Sequence, residues 1–465
     1  MSGRSRFLRL NAVVYGLGNH EAAWRMPESD PFATTSLAHW VRLAQIAEKA
    51  GFDTLFLGDV LALLQGAERH LSDAMDPLVI LSALAAVTSR IGLIGTLSTS
   101  FEPPFHIARR FASLDHITGG RAGWNIVTSS NRLEARNFGL DDLPDHTKRY
   151  AMAGDVVDAA IALWGSWQEG ARVADKEAGL YFDPAKVRAA DHVGRFVRTA
   201  GPLNVPRSPQ GRPLLVQAGS SADGREFAAT YADVVFTAQL SLEDAQAFYR
   251  DIKSGAARAG RDPESVLVLP GIMPVVAETR AMAQARLDLI DGVIVREHAL
   301  EQLSEYLQAD ARAFDLDQPL PASVGDESRS QANKSRFALI VTLARREGLT
   351  VRQLLQRVGG GRGHFLQAGT ASEIADTMQE WFEKGAADGF SVMCPVLPAD
   401  LETFSAAVVP ELRRRGLLGS YAAGATLRER LGLPALSGSS EGRHAPARAG
   451  ANGVAPARES IGSQA

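Results

Sequence analysis

Residues 214–236 read LLVQAGSSADGREFAATYADVVF and contain the repeating unit from which we infer the fold. The apolar run at 214–216 is too short for a helix and is typical of a strand buried on both faces. A Gly-Ser-Ser turn follows at 219–221, then a helix-forming segment, then a second apolar run at 234–236. A strand, a turn, a helix and a strand in this order form a βαβ unit.

The turn of this unit is a candidate anion site. The first amides of a helix have no acceptor within the helix, and Ser220 and Ser221 place two hydroxyls beside them. The anion bound in this way is usually a phosphate. The same serines are equally suited to capping the helix, which stabilises it by about 1 kcal/mol. The residues of the turn alone leave both roles open.

The same alternation of strand and helix runs along most of the chain. Between the strands, apolar residues recur at spacings of three and four, as in 37–50, where Gly51 ends the predicted helix. The eight predicted strands are 8–14, 54–58, 91–97, 122–127, 214–217, 234–237, 266–276 and 390–397. Such a chain forms an α/β fold, either an open doubly wound sheet or a closed (β/α)₈ barrel, and the strand count favours the barrel.

Two connections are too long to be simple links between strands. More than eighty residues separate the fourth and fifth strands, and more than a hundred separate the seventh and eighth. Loops of this length in a compact domain often cover a substrate. We predict one domain over 1–435, with insertions at about 170–213 and 292–368 and a lid hinge at the glycines 359–361. The remaining residues, 436–465, are rich in Ser, Gly, Ala and Pro, and we expect them to be disordered.

Composition excludes several classes of protein. The 465 residues carry a formal net charge of −4 with mixed signs along the chain, which gives no reason to expect a nucleic-acid partner. A single cysteine, Cys394, excludes a disulfide framework and favours a reducing compartment. No run of eighteen apolar residues occurs, so we expect a cytoplasmic protein without a membrane span.

The carboxyl ends of the predicted strands select candidate site residues, because ligands of such barrels bind at that face. The candidates that follow the first, second, third and fifth strands are His20, Asp59, Thr96 and Ser220. Each has an ordinary explanation as well, since threonine is common in strands and aspartate and serine cap helices. Their expected convergence on one mouth favours a binding site.

His146 and Tyr150 form a second candidate pair. They lie four residues apart at the start of the predicted helix HTKRYAMAGDVVDAAIALW, and therefore on one face of it. Both side chains can donate a hydrogen bond to a ligand, although Tyr150 is nearly as well suited to packing. No HExxH zinc helix, no lysine after a phosphate-binding glycine loop and no G-x-S-x-G motif is present, so we predict no metal site.

Four blocks of sequence resemble one known family. They read RRFASLDHITGGRAGWNIVTSSNRLEARNFG, HTKRYAMAGDVVDAAIALWGSW, GPLNVPRSPQGRPLLVQAGSSADGREFAA and GTASEIADTMQEWFEKGAADGFSVMCPVLP. These blocks look like the nitrilotriacetate monooxygenase component A family, a branch of the luciferase-like flavin monooxygenases that also includes dibenzothiophene-sulfone monooxygenase. The segment HEAAWRMP at 20–27 is similar as well, and the resemblance covers about 8–435.

The resemblance implies a luciferase-like TIM barrel that uses FMN as FMNH₂, supplied by a separate NAD(P)H-dependent flavin reductase. It implies a reaction with O₂, through a flavin (hydro)peroxide, that oxygenates a small N- or S-containing organic compound. A homodimer or homotetramer is expected. The positions that correspond to the family's flavin-binding residues, with Ser221 added as a neighbour, are Asp59, Thr96, His146, Tyr150, Ser220 and Ser221.

Two histidines are the candidates for contact with the reacting oxygen or the substrate. His20 follows the first strand, and His364 follows the glycine run of the second insertion. Two other functions remain as alternatives: an F420-dependent oxidoreductase on the same barrel, and a flavin-binding protein without catalysis. The blocks of the monooxygenase branch argue against the first alternative, and the long insertions argue against the second.

Overall fold

A computed structural model of the chain describes residues 6–63, 67–69, 71, 74–324, 334–361, 363–420 and 424–436. Its strands are β1 (Arg9–Val14), β2 (Thr54–Leu57), β3 (Gly92–Ser98), β4 (Ala122–Val127), β5 (Arg172–Asp175), β6 (Leu180–Phe182), β7 (His192–Val193), β8 (Arg198–Thr199), β9 (Leu214–Gln217), β10 (Val234–Thr237), β11 (Leu267–Val276), β12 (Phe365–Gly369) and β13 (Gly389–Val392). Of the predicted tail at 436–465, all but residue 436 lies outside the described residues.

Helices connect these strands. The α-helices are α1 (Leu37–Ala50), α2 (Pro77–Ala85), α3 (Pro104–Ile117), α4 (Arg132–Asn137), α5 (His146–Trp164), α6 (Ala222–Tyr231), α7 (Leu242–Arg258), α8 (Arg280–Asp291), α9 (Arg296–Leu307), α10 (Lys334–Glu347), α11 (Val351–Gly361), α12 (Ala371–Glu383), α13 (Ala399–Arg414) and α14 (Leu427–Arg430). No helix among the described residues is long and apolar enough to cross a membrane.

Eight strands close into a parallel barrel. Their order is β1, β2, β3, β4, β9, β10, β11 and β13, and β13 pairs with β1 to complete the circle. The strands are buried on both faces, because helices cover the outside and side chains fill the inside. The prediction of a (β/α)₈ barrel is confirmed, and the central unit at 214–236 forms β9, α6 and β10.

The eighth barrel strand is shorter than we predict. β13 ends at Val392, whereas the apolar run continues to Leu397. Pro395 has no amide proton for a strand ladder, and its carbonyl instead accepts a hydrogen bond from the amide of His20. The apolar residues after Val392 are therefore buried in the loop that leaves the barrel.

The long connections contain structure of their own. The connection after β4 holds α4, α5 and two short hairpins, β5 with β6 and β7 with β8. The connection after β11 holds α8 to α11 and β12, a ninth parallel strand that we did not predict. The glycines 359–361, which we predicted as a hinge, are the last residues of α11. The insertion limits of 170–213 and 292–368 stay predictions.

The end of the described chain closes one face of the barrel. Leu427, Leu431 and Leu433 pack with inward-facing strand residues such as Phe56 and Ile94. The amide of Leu427 donates a hydrogen bond to the carbonyl of Gly120, 2.8 Å away, in the turn that precedes β4. This segment thus lies at the amino ends of the strands. The opposite face of the barrel, at the carboxyl ends of the strands, remains for ligands.

Candidate functional site

A cradle at the end of β9 brings four of the predicted residues together. Ser221 is the N-cap of α6, and its Oγ accepts a hydrogen bond from the amide of Gly224 at 3.1 Å. The Nε2 atom of His146 lies 3.4 Å from the same Oγ. Tyr150 also interacts with the side chain of Ser221, and the His146 and Tyr150 rings lie 5.0 Å apart. Ser220 completes the loop between β9 and α6.

Two glycines make room for Tyr150 in this cradle. A Cβ atom at Gly219 would lie 2.8 Å from the Tyr150 hydroxyl, and one at Gly224 would lie 2.9 Å from it. Both distances are shorter than a normal contact between carbon and oxygen, so a side chain at either position would displace the phenol. Burial raises the pKa of Tyr150, so this hydroxyl remains protonated and able to donate at neutral pH.

Carboxylate and guanidinium groups surround the cradle. The Nδ1–H of His146 donates to the Asp223 carboxylate at 2.9 Å, and the Thr147 hydroxyl donates to the same oxygen at 3.0 Å. Arg225 donates to the carbonyl of Ser220 at 2.6 Å. These contacts fix the histidine ring and the loop backbone before any ligand arrives.

Arg149 is a residue at this site that the sequence analysis missed. It shares a face of α5 with Ala153, Val156 and Ala160, which are buried against the barrel. Its Nη1 donates to the carbonyl of Pro144 at 2.7 Å, but its Nε is buried without a hydrogen-bond partner among the described residues. Burial lowers the pKa of this guanidinium. A buried donor without an acceptor is suited to an anionic ligand.

Asp59 lies in a groove of about 420 Å³ at the end of β2. The remaining groove residues are apolar except for Asp76; they are Val60, Leu61, Ala62, Leu63 and Ala74. Burial, together with the smaller effect of the nearby carboxylates of Asp76 and Glu134, raises the pKa of Asp59 to about 6. The groove has the size of a small-molecule site, and contact of Asp59 with a ligand there stays a prediction.

Thr96 has a different setting. Its side chain is buried in the barrel wall, where the hydroxyl donates to the carbonyl of Leu57 at 2.8 Å and accepts from Asn125 at 2.9 Å. These bonds join β2, β3 and β4 near their carboxyl ends. Thr96 therefore stabilises the floor of the mouth, and its predicted contact with a ligand stays a prediction.

His364 lies over the floor of the mouth. Its ring stacks on Phe236, with centroids 5.1 Å apart and planes 3° from parallel. A Cβ atom at Gly271 would come within 2.3 Å of the His364 Nδ1, so this glycine admits the ring. Phe236 packs with the residues inside the barrel. The second long connection thus delivers a histidine to the carboxyl end of β10 and the middle of β11.

His20 is buried in the loop after β1. Its Nδ1 accepts a hydrogen bond from the amide of Ala22 at 3.1 Å, and its Nε2–H donates to Asp291 at 3.0 Å. Both ring nitrogens are therefore engaged within the protein, and they tie this loop to the end of α8. Contact of His20 with a reacting atom stays a prediction, and it requires one of these bonds to open.

The described residues contain no group of three or more His, Cys, Asp or Glu side chains that could hold a metal ion. The chemical groups at the mouth are instead a hydroxyl and amide cradle, a half-buried guanidinium with a buried Nε, a groove with two carboxyls and a stacked imidazole. This set is suited to an organic ligand that carries an anionic group at one end.

Comparison with known proteins gives consistent results. The sequence profile of the family described as "Luciferase-like monooxygenase" matches residues 17–388. The N-acetyl-S-(2-succino)cysteine monooxygenase of Bacillus subtilis (strain 168) is 44% identical over 93% of this chain and 98% of its own. Component A of the nitrilotriacetate monooxygenase of Aminobacter aminovorans is 42% identical over 93% of this chain and 97% of its own.

A solved structure extends these similarities to three dimensions. A riboflavin lyase that holds a modified FMN and riboflavin superposes with a TM-score of 0.82 at 31% identity. The match covers 92% of this chain and 97% of the lyase. The described barrel and its long connections are thus similar to those of a protein that binds flavins.

Proposed function

Because the chain belongs to the luciferase-like monooxygenase family, we propose that it is the oxygenase of a two-component system that uses FMNH₂ and O₂. The substrate of this system is a small N- or S-containing organic compound, and a separate NAD(P)H-dependent flavin reductase supplies the reduced flavin. The observation that carries the proposal is the cradle around Ser220, Ser221, His146 and Tyr150, with the buried Nε of Arg149 beside it.

The names of the relatives support this proposal. One relative is named as component A, which implies a second component, and the superposed lyase holds a modified FMN. The two sequence relatives are named for an S-centred and an N-centred compound. A homodimer or homotetramer is part of the same expectation.

The cradle fits the phosphate of FMN. Three hydroxyls are supplied by Ser220, Ser221 and Tyr150. The first amides of α6 favour a negative charge at this end of the helix. The Nδ1–H bond to Asp223 fixes the ring of His146, and its Nε2 lies beside Ser221 on the side of the cradle. The Nε of Arg149 would gain the acceptor that the described residues do not provide. The flavin ring would extend from there towards Asp59 and the groove.

When bound, reduced FMN supplies the electrons that activate O₂. The task of the protein is then to hold the cofactor, to exclude water and to place the substrate. His364, which lies over the floor of the barrel, is proposed to donate a hydrogen bond to the reacting oxygen or to the substrate. His20 is proposed for the same contact after it releases Asp291. The long connections cover the mouth and keep bulk water from it.

A coupled assay tests the proposed reaction. Purified protein is mixed with FMN, NADH, a general flavin reductase and a panel of amines, thioethers and sulfones, and O₂ consumption and products are measured. We expect a substrate-dependent oxygenated product above the background of free peroxide. Tight binding of F420 together with no binding of FMNH₂ would overturn the proposal in favour of the F420-dependent alternative.

The phosphate assignment has a separate test that does not depend on turnover. We expect Arg149→Gln and the double variant Ser220→Ala with Tyr150→Phe to weaken FMN binding by roughly tenfold or more, because each removes hydrogen bonds to a charged group. Riboflavin, which has the same ring and no phosphate, should bind these variants as it binds the wild type. Equal losses for FMN and riboflavin would show that the cradle does not hold the phosphate.

A further inference from the structure

The stretch of chain at 171–200, called the hairpin segment here, is folded but buries very little. It contains the two hairpins, β5 with β6 and β7 with β8. Of its thirty residues, Ala171 alone is buried. Fixing the backbone of one residue costs about 1–2 kcal/mol in conformational entropy, and burial of apolar surface is the main term that offsets this cost. A folded segment with so little burial is typical of a surface that a partner covers.

The hairpin segment is fixed on α5. The carboxylate of Asp155, in the middle of this helix, accepts hydrogen bonds from His192 Nε2 at 2.7 Å and from the amide of Val197 at 3.1 Å. In the turn after the helix, the carbonyl of Ser166 accepts from the amide of Arg188 at 2.9 Å. Because α5 begins beside the cradle, these contacts place the hairpins on the part of the helix that lies beyond it. The segment is thus a fixed platform apart from the flavin-binding residues.

Exposed apolar side chains are concentrated in this segment. Thirty of the 465 residues hold five of the seventeen large apolar side chains that are exposed in the described part of the chain. These five are Val173, Leu180, Tyr181, Phe182 and Val193. The charged residues of the segment are six Lys or Arg and four Asp or Glu, so no dense charge of one sign selects an oppositely charged partner. Contact through apolar surface and backbone is therefore the recognition that this segment offers.

The two edges of the first hairpin differ. β5 and β6 form a two-stranded sheet, and no other described strand pairs with either of them. The outer edge of β5 is protected against pairing, because Arg172 and Asp175 are charged and Ala174, with φ of 47°, interrupts the strand. β6 consists of Leu180, Tyr181 and Phe182, with no charge, no proline and no interruption. The edge of β6 is therefore open to another strand.

The strand β6 is complementary to a second copy of itself. The amide of Asp183 donates to the carbonyl of Ala171 at 2.8 Å and so points at β5. Backbone groups alternate between the two sides of a strand, so those of Leu180 and Phe182 point to the open edge. Antiparallel pairing about a two-fold axis at Tyr181 then places Leu180 of each copy opposite Phe182 of the other. Each of these two pairs exchanges backbone hydrogen bonds, and no like charges meet.

We propose that the hairpin segment is a surface through which two copies of this chain associate, by antiparallel pairing of β6 with β6 of the second copy. A two-fold interface uses the same surface on both copies, which a self-complementary strand satisfies. Stable interfaces involve about 20–30 residues on each side, and the segment supplies this number. The inference gives a surface to the expected homodimer or homotetramer and does not depend on the proposed reaction.

A cysteine at the two-fold axis tests the pairing directly. In the proposed register the two Tyr181 residues form a non-hydrogen-bonded pair, with Cα atoms about 4.5 Å apart, a distance that a disulfide can bridge. The native Cys394 is buried. We expect full-length Tyr181→Cys to form a covalent dimer with oxidised glutathione at micromolar concentration, measured by gel electrophoresis without reductant. Leu289→Cys, at an exposed position of α8, is the matched control and should stay a single chain.

The mass in solution provides an independent test. We expect Tyr181→Glu to have half the mass of the wild type in analytical ultracentrifugation, because two carboxylates would face each other at the axis. Leu289→Glu should keep the mass of the wild type. Tyr181 is 61% exposed, so the substitution should leave the fold and FMN binding unchanged, and FMN titration of both variants checks this.

The outcomes separate this surface from the proposed reaction. A monomeric wild type, an unchanged mass of Tyr181→Glu, or no more disulfide in Tyr181→Cys than in Leu289→Cys each overturns the pairing of β6, even if the coupled assay gives product. A covalent dimer of Tyr181→Cys together with a halved mass of Tyr181→Glu supports the pairing, even if the protein oxygenates none of the compounds tested.

Discussion

Asp59 lies in the groove at the mouth. Burial and the nearby carboxylates of Asp76 and Glu134 disfavour the ionised form of its side chain. Its pKa of about 6 in the folded protein is higher than the value of about 3.9 for an exposed aspartate. The folded state therefore binds this proton more tightly than the unfolded state does. The associated stability is fully present below about pH 4 and is lost as the pH rises through about 6.

Asp59→Asn should remove this pH dependence. At pH 7 we expect the variant to be more stable than the wild type by about 1 kcal/mol, a value reduced for the partial exposure of the carboxyl. The gain should shrink towards pH 4, where the wild type is protonated. Urea unfolding of the protein without flavin, at pH 4, 5.5 and 7, measures both values. A gain that is the same at every pH contradicts the assignment of the shift to Asp59.

Gly224 offers a second change at the scale of one residue. Gly224→Ala places a methyl group 2.9 Å from the Tyr150 hydroxyl and 3.1 Å from the backbone of Gly219. We expect a loss of stability of roughly 1–2 kcal/mol and weaker FMN binding, because the phenol must leave the cradle. Equilibrium unfolding and FMN titration measure the two effects.

The matched control for this change is Gly154→Ala in α5. The new methyl group there lies 3.4 Å from the Tyr231 hydroxyl, close to an ordinary contact, and alanine favours a helix over glycine by up to about 1 kcal/mol. We expect neutral or increased stability and unchanged FMN binding. If both variants weaken FMN binding equally, the loss comes from a general disturbance of the packing between α5 and α6 and not from the cradle.

A site residue can be predicted from the sequence when the residues that define its role lie close to it in the chain. His146 and Tyr150 follow from their spacing on one helix, and Ser220 and Ser221 follow from the turn after a strand. The partner of His20 is Asp291, 271 residues further along the chain, and no local pattern joins them. Arg149 has the same limitation, because its importance comes from a buried Nε that no described residue accepts from, which is known only once the helix is packed.

At the scale of elements, continuous apolar runs predict the barrel strands because both faces of a parallel sheet are buried. β12 does not follow this rule. It has only two large apolar residues at its start, Phe365 and Leu366, and it is specified by pairing with the second half of β11. The length of β11 is therefore the cause of the ninth strand. The small hairpins after β4 are likewise short and exposed, and their sequences carry no clear alternation.

For its length, the segment around α14 should contribute more to the free energy of unfolding than any other element. Leu427 is fully buried inside the barrel, where Gly92 makes room for its methyl groups. We expect Leu427→Ala to lower the free energy of unfolding by about 2–5 kcal/mol, since it leaves a cavity among the strands. Leu289→Ala, at an exposed position of α8, is the control and should change stability by less than about 0.5 kcal/mol. Similar values for both variants contradict the packing of α14.

At the scale of the whole molecule, the second long connection has a hydrophobic cluster of its own. Residues of α9, α10 and α11 pack with one another in this cluster, among them Ala299, Leu303, Ile340 and Leu354. The cluster is separate from the one that joins the barrel to its outer helices. A part of the molecule with its own small core can open without unfolding of the rest.

Amide hydrogen exchange should therefore show two levels of protection within the protein. We expect the amides of α9 and α11 to exchange together and faster than those of β1, β2 and β3. Bound FMN and substrate should slow this exchange, because the connection covers the mouth in the proposed function. Exchange measured by mass spectrometry with and without FMN provides the test. Protection of α9 and α11 equal to that of the strands contradicts an independently opening cover.

The contacts of α14 also constrain how the chain is completed during synthesis. Asp233 is buried between Arg212 and Arg428, and its second guanidinium partner lies 195 residues later in the chain. The first barrel strand likewise pairs with the last one. Until β13 and α14 have left the ribosome, the nascent barrel has an open seam, an unsealed base and an Asp233 carboxylate with one of its two guanidinium partners. Emergence of β13 thus lets the barrel close, and emergence of α14 seals its base.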